Sequence, residues 1–492
     1  MNDAAALQQS YDGVPYTARP VPQSHPDRLY VLARLHGLAA APVEKARILE
    51  LGCATGGNLL PLAAHLPDAD CVGLDLSERQ IAQARQRARA AGLGNLRLEA
   101  GDVTEPDWPL RLGRFDYVIA HGLYSWVPES VQTVLLDIIA RLLSPRGVAY
   151  VSYNTYPGWH QRGVVRALMR DATMGLEDPP ARCRRARAVL GELAARHQGD
   201  GAYGAMLAQE AERVGALDDS FLLHDLLEVE NRPVWFRDFA ASARAAGLQW
   251  LSESNLSTSR PENRPAGHPL PFANEAAADP IDREQAIDFW LNRSLRESLL
   301  CADGIALNRD LDQKALEHFR VSAQGAVEPA ADGQGQVFFQ LGAVRIGLKA
   351  PAAIAALAGL LNAGPAGLPV AALCAASPAP SEVRQLLFDL AVRHLVDLSG
   401  RPADFAATVP ERPHLSALAR LQAEAGEAVT NRQHRPVLLD DPLARRLLRR
   451  LDGDHDRAAL EAALAGDGGE PVTAPQLEAI LGAFTASALL TA

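Results

Sequence analysis

The stretch "ARILELGCATGGNLLPLA", residues 46–63, decides the fold of this sequence. It begins as a short apolar strand, passes through a turn of small residues that includes Gly52, Ala54 and Gly57, and continues as an apolar helix. A strand followed by such a turn brings the backbone close to a ligand at the N-terminus of the helix. The stretch therefore predicts a ligand site, and the surrounding residues must decide which ligand binds there.

Strands and helices alternate over residues 46–156. The strand segments are "ARILELG", "DCVGLDL", "LRLEAGD", "FDYVIAHG" and "GVAYVSYNTY", and helices are predicted at 58–65, 78–91 and 129–143. Apolar strands that alternate with helices imply a parallel sheet covered on both faces. The predicted fold class is α/β, a Rossmann-like doubly wound sheet, with its ligand at the C-terminal ends of the strands.

The rest of the chain divides by composition. We predict an N-terminal arm over the ligand site (1–45), a Rossmann-like ligand-binding domain (46–159), a helical insertion that returns to the sheet (160–255), a linker (256–280), a helical region (281–336), and a winged-helix-like and helical region (337–492). Within the last of these, the hairpin "VFFQLGAVRIGLK" and the helices that follow it up to residue 400 suggest a winged-helix-like unit.

Composition excludes several classes of protein. The 492 residues carry a formal net charge of −11, which argues against a nucleic-acid partner. No apolar run is long enough to predict a membrane span, so we expect a soluble protein without a membrane partner. The five cysteines are scattered, without a CxxC pair, so neither a disulfide framework nor a zinc site is expected and the predicted location is the cytoplasm.

Two ligands fit the turn of small residues: a dinucleotide, held through its pyrophosphate, and S-adenosylmethionine, which has no phosphate. The G-x-A-x-x-G spacing is only a weak dinucleotide fingerprint. Glu50 shifts the balance, because a buried carboxylate is costly without a cationic or hydrogen-bonding partner and a pyrophosphate would repel it. The methionine end of S-adenosylmethionine carries an ammonium group, and the sulfonium adds a second positive charge.

Two further carboxylates follow the next two strands. Asp75 can accept hydrogen bonds from both ribose hydroxyls, which fits either ligand. Asp102 can accept from an adenine amino group while Val103 packs on the ring. Each acid alone could be an ordinary surface carboxylate. Acids at the ends of three consecutive strands, with "FDYVIAHGLYSWV" on the fourth, favour S-adenosylmethionine.

This pattern resembles the class I S-adenosylmethionine-dependent methyltransferases that carry a methyltransferase regulatory domain. The resemblance rests on "ELGCATGGNLLPLA", "IAHGLYSWVP", "YVSYNTYPGWHQRGVVRALM" and "DPIDREQAIDFWLNRSLRESLLC", and it covers residues 11 to about 320. The rickettsial protein lysine methyltransferases that act on outer-membrane proteins are similar in architecture. Ala54 departs from the glycine-rich signature, although a small residue is retained. The resemblance makes 281–336 a regulatory helical region.

The resemblance implies cofactor-binding roles for residues after the first four strands. The methionine end would be lined by Glu50, Gly52, Cys53, Ala54 and Gly56. Asp75 and Leu76 would hold the ribose, and Asp102 and Val103 the adenine. His121 would form a wall of the cofactor site. Three residues of the N-terminal arm, Tyr11, Tyr16 and His25, either close over the cofactor or pin the arm to the domain surface.

Candidate acceptor residues lie at the ends of the fourth and fifth strands, where they face the methyl group. They are Tyr124, Ser125 and Trp126 on one side, and Tyr153, Asn154, Tyr156 and Trp159 on the other. Aromatic faces attract cations, an asparagine carbonyl can orient an amine, and a tyrosine hydroxyl can relay its proton. For each single residue, ordinary packing is the alternative.

A second candidate lies in "HDLLEVENRPVWF", residues 224–236. His224, Glu228 and Asn231 fall near one helical face at i, i+4 and i+7. His224 or Glu228 could take the acceptor's proton, or the two could be a solvated or structural pair, which we favour. The sequence has no motif of a serine hydrolase, a zinc protease or a P-loop kinase.

Three functions remain open. The first is a methyltransferase of protein side chains, with lysine as the predicted acceptor. The second is a methyltransferase of a small molecule or natural product, which an enclosed acceptor cavity would favour over an open groove. The third is a non-catalytic winged-helix regulator that senses a ligand; its segment "SEVRQLLFDLAVRHL" has no basic excess, which argues against DNA binding. The oligomeric state is not predicted, although a homodimer is kept open.

Overall fold

A seven-stranded sheet forms the centre of the structure, a computed structural model that describes residues 18–105, 111–260, 279–328, 336–466 and 472–492. The strands are β1 (Arg47–Leu51), β2 (Asp70–Asp75), β3 (Leu96–Ala100), β4 (Phe115–Ala120), β5 (Leu143–Asn154), β6 (Leu248–Glu253) and β7 (Leu295–Ala302). Their order is β3-β2-β1-β4-β5-β7-β6. All neighbours are parallel except β7, which is antiparallel to both β5 and β6.

Helices cover both faces of this sheet, as the apolar strands require. They are α1 (Pro26–Leu35), α2 (Leu59–His65), α3 (Glu78–Ala90), α4 (Glu129–Leu142), α8 (Phe236–Ala245) and α9 (Pro280–Leu291). Between α4 and α8 the chain forms α5 (Gly158–Ala172), α6 (Pro179–Arg196) and α7 (Gly201–Ala216), which lie in the helical insertion. Alternate residues of β1 enter different cores: Ile48 packs with α1, α2 and α3, whereas Leu49 packs with α4 and α8. The predicted α/β fold class and the first three predicted helices are confirmed.

The predicted helical region 281–336 is wrong after its first helix. The chain leaves α9 at Asn292, which adopts a left-handed conformation (φ +47°), and β7 then enters the main sheet between β5 and β6. The sheet therefore takes one of its strands from beyond the predicted linker at 256–280. Most of that linker, 261–278, lies outside the described residues.

A buried arginine explains why β7 is placed in the sheet. The Arg296 side chain is 0% exposed, and it donates to Asp288 on α9, Glu253 on β6 and Glu284 on α9 at 2.7–3.1 Å. Its guanidinium also lies 3.7 Å from the centre of the Phe236 ring. One cation thus connects β7, β6, α8 and α9, and its three acidic partners lie too far away in the sequence for the local pattern to reveal them.

The helical insertion packs around its own core. Helices α5, α6 and α7 are followed by the turns Asp219–Phe221 and Leu222–Leu227, and their apolar side chains form one cluster that includes Val165, Leu190 and Leu207. The chain then returns through α8 to β6, as the sequence predicts.

The C-terminal third contains short strands and seven further helices within the described residues. The strands are β8 (Arg320–Ser322), β9 (Gly325–Glu328), β10 (Val337–Leu341), β11 (Val344–Leu348), β12 (Leu368–Pro369), β13 (Asp397–Ser399), β14 (Val429–Thr430) and β15 (Pro436–Val437). The helices are α10 (Pro351–Asn362), α11 (Val370–Ala375), α12 (Pro380–Val392), α13 (Ala417–Glu424), α14 (Pro442–Leu448), α15 (Arg457–Gly466) and α16 (Ala474–Ala486).

Two different cores hold this C-terminal third. The predicted hairpin forms as β10 and β11, and α10 and α12 join the same hydrophobic core as one face of the main sheet. Residues 406–490 have a separate core built from α13 to α16. No helix in the described part of the chain combines the length and apolar character needed to cross a membrane.

Candidate functional site

The turn after β1 adopts a left-handed backbone conformation at three of its residues. Gly52, Ala54 and Gly56 have positive φ angles of +74°, +49° and +77°, so small residues fit this turn. The backbone N–H groups of Gly52 and Cys53 donate to the carbonyl of Leu74 at 2.8 and 3.1 Å, which ties the turn to β2. Cys53 is buried, and burial raises the pKa of its thiol. The turn lies at the point where strand order reverses between β1 and β4, where doubly wound sheets bind ligands.

Glu50 has the most unusual environment in this turn. Its side chain is 3% exposed, Oε1 accepts a hydrogen bond from Asn58 Nδ2 at 2.8 Å, and Oε2 has no hydrogen-bond partner among the described residues. Burial raises the pKa of this carboxyl to about 8, and the Asp75 charge adds to the shift. An unpaired buried carboxylate is costly, so Oε2 is a candidate position for a bound cation or hydrogen-bond donor.

Asp75 and Asp102 are both oriented by nearby donors. Asp75 ends β2, and its two carboxylate oxygens accept from the N–H groups of Ala54 at 2.7 Å and Ser77 at 2.9 Å. Asp102 follows β3, and its Oδ1 accepts from the backbone N–H and the hydroxyl of Thr104, both at 2.8 Å. A carboxylate offers about four acceptor positions, so Asp102 can accept a ligand amino group as well. Leu76 and Val103 are half-buried beside them.

His121, predicted as a wall of the cofactor site, directly follows β4. Its Nδ1 lies 3.1 Å from the Tyr150 hydroxyl and 3.2 Å from Ser152 Oγ, both on β5. Burial lowers the pKa of this histidine to about 4, so the ring is neutral near pH 7. The Tyr150 hydroxyl in turn donates to Glu297 Oε1 on β7 at 3.0 Å. The predicted wall residue is therefore fixed by two neighbouring strands.

Asn58 and His434 are site residues that the sequence analysis missed. Asn58 Nδ2 also donates to Ser24 Oγ at 3.1 Å, while Asn58 Oδ1 accepts from the Val21 N–H at 2.9 Å and from His434 Nε2 at 2.7 Å. Because Oδ1 only accepts, His434 must carry its proton on Nε2. Asn58 was detectable as a polar residue directly after the turn. His434 was not, since 376 residues separate the two partners.

His434 lies in a cluster of three histidines. Its ring centre is 5.2 Å from that of His25 and 6.3 Å from that of His65. Burial lowers the pKa of all three, to about 3 for His25 and well below 6.5 for the other two. His434 itself adopts a left-handed backbone conformation (φ +59°) and is fully buried. A neutral histidine from the C-terminal region thus reaches the asparagine that holds Glu50.

The structure corrects the expectation for Tyr124 and Tyr153. The Tyr153 side chain is 1% exposed, stacks on Phe239 with ring centres 4.0 Å apart, and shares a 3.0 Å hydrogen bond with Ser298 Oγ. Tyr124 is also buried and packs edge-on against both rings. Both side chains belong to the core under α8, Tyr153 from β5 and Tyr124 from the turn after β4, so we expect neither to form a wall of an acceptor site.

Asn154, in contrast, stands at the end of β5 with a free acceptor. Its N–H donates to Ser125 Oγ at 2.8 Å and its Nδ2 donates to Asn231 Oδ1 at 3.0 Å. Its Oδ1 has no hydrogen-bond partner in the described ranges. Asn231 thus joins the site by orienting Asn154, whereas the sequence placed it with His224. Half-buried Trp126 closes the turn after β4.

Tyr156 and Trp159 begin the helical insertion. Tyr156 is half-buried, stacks on His160 with ring centres 4.3 Å apart, and lies 5.3 Å from Trp235. Trp159 is buried, and its Nε1 has no hydrogen-bond partner among the described residues. Both residues line a cavity that also includes Asn231, the hydrogen-bond partner of Asn154, which leaves Tyr156 as an aromatic candidate at the acceptor end.

The His224 and Glu228 pair is buried, which excludes the solvated interpretation. His224 Nδ1 lies 3.9 Å from Glu228 Oε2, and the two side chains are 3% and 8% exposed. The helical turn ends at Leu227, so Glu228 is not on the same helix as predicted; its Oε1 accepts from the Val229 N–H at 2.8 Å. The pair sits in the wall of the helical insertion, which favours the structural reading.

Parts of the predicted site cannot be placed. Tyr11 and Tyr16 lie outside the described residues. His25 accepts from the Asp27 N–H through its Nδ1 at 3.1 Å and so caps α1. The described end of the arm packs on the turn after β1, since a Cβ on Gly57 would approach Ala18 O to 2.2 Å. The five cysteines are free and buried, and no group of three or more His, Cys, Asp or Glu side chains in the described residues is arranged to hold a metal ion.

Three family models match different parts of the chain. Residues 48–147 match a methyltransferase domain, residues 218–302 a predicted methyltransferase regulatory domain, and residues 411–480 the C-terminal winged-helix domain of PKMT proteins. The winged-helix model therefore matches the region with the separate core, residues 406–490. It does not match residues 337–400, where the sequence suggested a winged-helix-like unit. The regulatory model ends at the last residue of β7.

Solved and curated proteins match the same arrangement. A structure of PKMT2 from Rickettsia typhi in complex with AdoHcy is 25% identical, covers 97% of this chain and 100% of that one, and has a TM-score of 0.84. The uncharacterized protein RP789 of Rickettsia prowazekii is 36% identical over 63% of this chain and 56% of its own length. Uncharacterized protein RP028 of the same organism is 33% identical over 49% of this chain and 96% of its own length.

Strand order, the acid at the end of each of the first three strands and the matched domain together define a class I methyltransferase. The chain belongs to the S-adenosylmethionine-dependent methyltransferases that carry a methyltransferase regulatory domain and a PKMT-type winged helix. The family predicted from the sequence is confirmed.

Proposed function

We propose that this protein transfers a methyl group from S-adenosylmethionine to a protein side chain, a lysine amine. The observation that supports S-adenosylmethionine as the cofactor is the environment of Glu50 Oε2, which is buried and has no partner among the described residues. An ammonium group is the donor that such a carboxylate lacks, and it also lowers the cost of ionising a carboxyl whose pKa burial raises to about 8. A pyrophosphate at the same position would raise that cost.

The remaining cofactor residues fit the same molecule. We infer that the turn from Gly52 to Gly56 lies against the methionine end, that Asp75 and Leu76 hold the ribose, and that Asp102 and Val103 hold the adenine. Asp75 is oriented by the Ala54 and Ser77 N–H groups at the end of β2, which fixes its carboxylate at the strand end proposed to hold the ribose. His121, neutral and fixed by Tyr150, adds no positive charge to compete with a sulfonium.

The chemistry of the acceptor decides what the other residues must do. S-adenosylmethionine supplies an electrophilic methyl group, so the attacking amine must be neutral and in line with it. A lysine amine has an unperturbed pKa of about 10.4, and desolvation lowers it. We infer that Asn154 Oδ1 accepts from the amine and orients it, while Asn231 holds the Asn154 amide in place. Tyr156 and Trp126 supply aromatic surface for a methylated ammonium.

Two observations favour a protein acceptor over a small molecule. The matched winged helix and the PKMT2 structure are both named for PKMT proteins, and the match to that structure extends over almost the entire chain. The cavity beside Asn154 is an open groove of about 610 Å³, and its rim includes the exposed Met174. An open groove admits a segment of polypeptide, whereas small acceptors are commonly enclosed.

Five free, buried cysteines also support a location in the cytoplasm.

One labelling experiment tests this proposal. The purified chain is incubated with methyl-labelled S-adenosylmethionine and a lysate of its host, and label is measured in protein and in the small-molecule fraction. We expect acid-stable label in protein, on lysine after hydrolysis. Glu50→Gln should weaken binding of S-adenosylhomocysteine by about tenfold or more, through loss of a charge-assisted bond. Label only in small molecules would overturn the protein acceptor, and unchanged binding by Glu50→Gln would overturn the cofactor placement.

A further inference from the structure

A groove with an unusual charge begins where β5 ends. It is lined by α5 and α6, the Thr173–Leu176 turn and the segment from Leu227 to Pro233, and it contains Tyr156 and Asn231. Asn231 lines the groove and accepts a hydrogen bond from Asn154, so the groove begins beside the residue proposed to orient the substrate amine. A substrate that presents its amine to Asn154 must therefore place its neighbouring residues in this groove or beside it.

Three arginines dominate the groove: Arg166 and Arg170 on α5 and Arg182 on α6. The only carboxylate among its described lining residues is Asp171, which is exposed to solvent. Arg166 donates to the carbonyls of Glu228 and Val229, and Arg182 donates to the carbonyl of Leu227, so these contacts fix the side chains without neutralising them.

The positive charge of the groove is only partly balanced inside the protein, where the Glu228 and Glu230 charges act on Arg166. None of its three guanidinium groups forms a salt bridge in the described ranges. Burial lowers the pKa of Arg166 to about 10, with the nearby Arg170 charge as the next cause. Elsewhere the chain carries an excess of acid, with a net charge of −11. A local concentration of unpaired arginines on an acidic protein marks a surface for an anionic partner.

Apolar residues accompany these charges. Met174 and Val229 are 78% and 68% exposed, and Leu176 is 41% exposed, although large apolar side chains at such exposure are few in the described chain. All three line the groove. Apolar contacts beside arginines suit a peptide, whose backbone spaces carboxylates and apolar side chains a few ångströms apart, better than they suit a small anion.

We propose that this groove binds an acidic segment of the substrate protein next to the lysine that is methylated, with substrate carboxylates on Arg166, Arg170 and Arg182 and an apolar side chain against Met174 and Val229. The inference rests on the proposed function for the position of the lysine. The new element is the kind of sequence around that lysine, which we expect to be acidic. Planar guanidinium groups recognise carboxylates through two parallel hydrogen bonds, which gives the groove specificity as well as attraction.

Binding of two matched peptides to the full chain tests the proposal without turnover. Both are fluorescein-labelled, have a central lysine and share the same leucines; one carries Asp and Glu on both sides, the other Asn and Gln. With S-adenosylhomocysteine present, fluorescence anisotropy should show the acidic peptide binding at least tenfold tighter, with the preference weakening as salt rises. Arg170→Gln and Arg182→Gln should each reduce the preference by threefold or more.

Arg184→Gln is the matched control. Arg184 lies on the same helix as Arg182, but it is exposed, pairs with Asp178 at 3.8 Å and does not line the groove. If Arg184→Gln reduced the preference for the acidic peptide as much as the groove variants do, the preference would reflect general charge attraction and the proposal would be overturned. Equal affinity of the parent for the two peptides would also overturn it. Competition by glutarate at the same concentration as the acidic peptide would indicate a small-molecule site instead. Tight acidic binding without methyl transfer would leave the groove intact and count against the lysine acceptor.

Discussion

At the scale of the residue, Glu50 connects ligand binding to stability. Its pKa is raised from 4.5 to about 8 in the folded chain by burial. A carboxyl with a higher pKa in the folded chain binds more protons when folded, so the stability that it contributes is present at low pH and is lost as the pH rises towards 8. A cofactor ammonium at Oε2 would favour the ionised form and remove this loss.

The pH dependence of unfolding therefore tests the role of Glu50. Between about pH 6 and pH 8, without cofactor, we expect the free energy of unfolding of the parent to fall by about 1–3 kcal/mol more than that of Glu50→Gln, since one titrating group contributes up to about 1.4 kcal/mol per pH unit. Urea unfolding at three pH values measures this. Saturating S-adenosylhomocysteine should flatten the parent's curve. Parallel curves for parent and variant would contradict the assignment.

Asn154 and Tyr153 are neighbours on β5 with opposite expected roles. Asn154→Ala removes the acceptor proposed to orient the amine, so turnover should fall about tenfold or more while S-adenosylhomocysteine binds within a few-fold of the parent. Tyr153→Phe removes only the hydrogen bond to Ser298, so it should cost about 1 kcal/mol of stability and leave turnover nearly unchanged. Steady-state kinetics and thermal melts separate the two. A larger loss of turnover in Tyr153→Phe would return it to the acceptor site.

At the scale of the element, β7 shows how one strand can be recruited from distant sequence. Its inner position depends on Arg296, whose charge is surrounded by Glu253, Glu284 and Asp288. Removing one partner of a buried ionic cluster leaves the others uncompensated, which typically costs about 3–5 kcal/mol.

Substitution of Arg296 should therefore be far more damaging than substitution of a surface arginine. We expect Arg296→Met to lower the free energy of unfolding by about 3–5 kcal/mol. Arg237→Met, which breaks the exposed 2.7 Å pair with Asp282, should cost at most about 1 kcal/mol. Denaturant unfolding of both variants measures the difference. Equal, small effects would mean that the cluster does not hold β7.

Periodicity predicted the elements that form locally and failed where a partner was distant. Strands β1 to β5 and helices α2 to α4 are visible as apolar runs and amphipathic stripes, because each buries a continuous face. The segment "LRESLLCA" of β7 has a charged centre that masks its strand character, and the burial of Arg296 depends on three acids from other elements. The acids of the proposed cofactor site were identified because they end strands, whereas Asn58's partner His434 lies in another region.

At the scale of the whole molecule, His434 joins the C-terminal region to the proposed cofactor site. Its Nε2 donates to Asn58, and Asn58 donates to Glu50. Without His434, Asn58 loses one of the contacts that fix its amide, and a rotated amide would no longer donate to Glu50. Residues of the matched winged helix therefore help to position the carboxylate proposed to hold the cofactor.

Substitution at this contact should change cofactor affinity from a distance. We expect His434→Ala to weaken S-adenosylhomocysteine binding by about five- to twentyfold, because one buried hydrogen bond contributes about 1–2 kcal/mol. His434→Gln, which can still donate, should recover part of the loss. His455→Ala is the control, since His455 is partly exposed and pairs only with nearby Asp452. Calorimetry measures all three. An unchanged affinity in His434→Ala would show that the contact is not used.

The position of β7 also has a consequence for synthesis on the ribosome. Strand β5 ends at Asn154, but its neighbour β7 ends at Ala302, so 148 residues must be translated before that edge of the sheet is covered. At translation speeds of about 5–20 residues per second, this takes roughly 7–30 s. During that time the nascent chain exposes an unpaired, apolar strand edge, which is a template for wrong pairing. A chaperone that binds nascent chains would therefore find its site on this protein at β5.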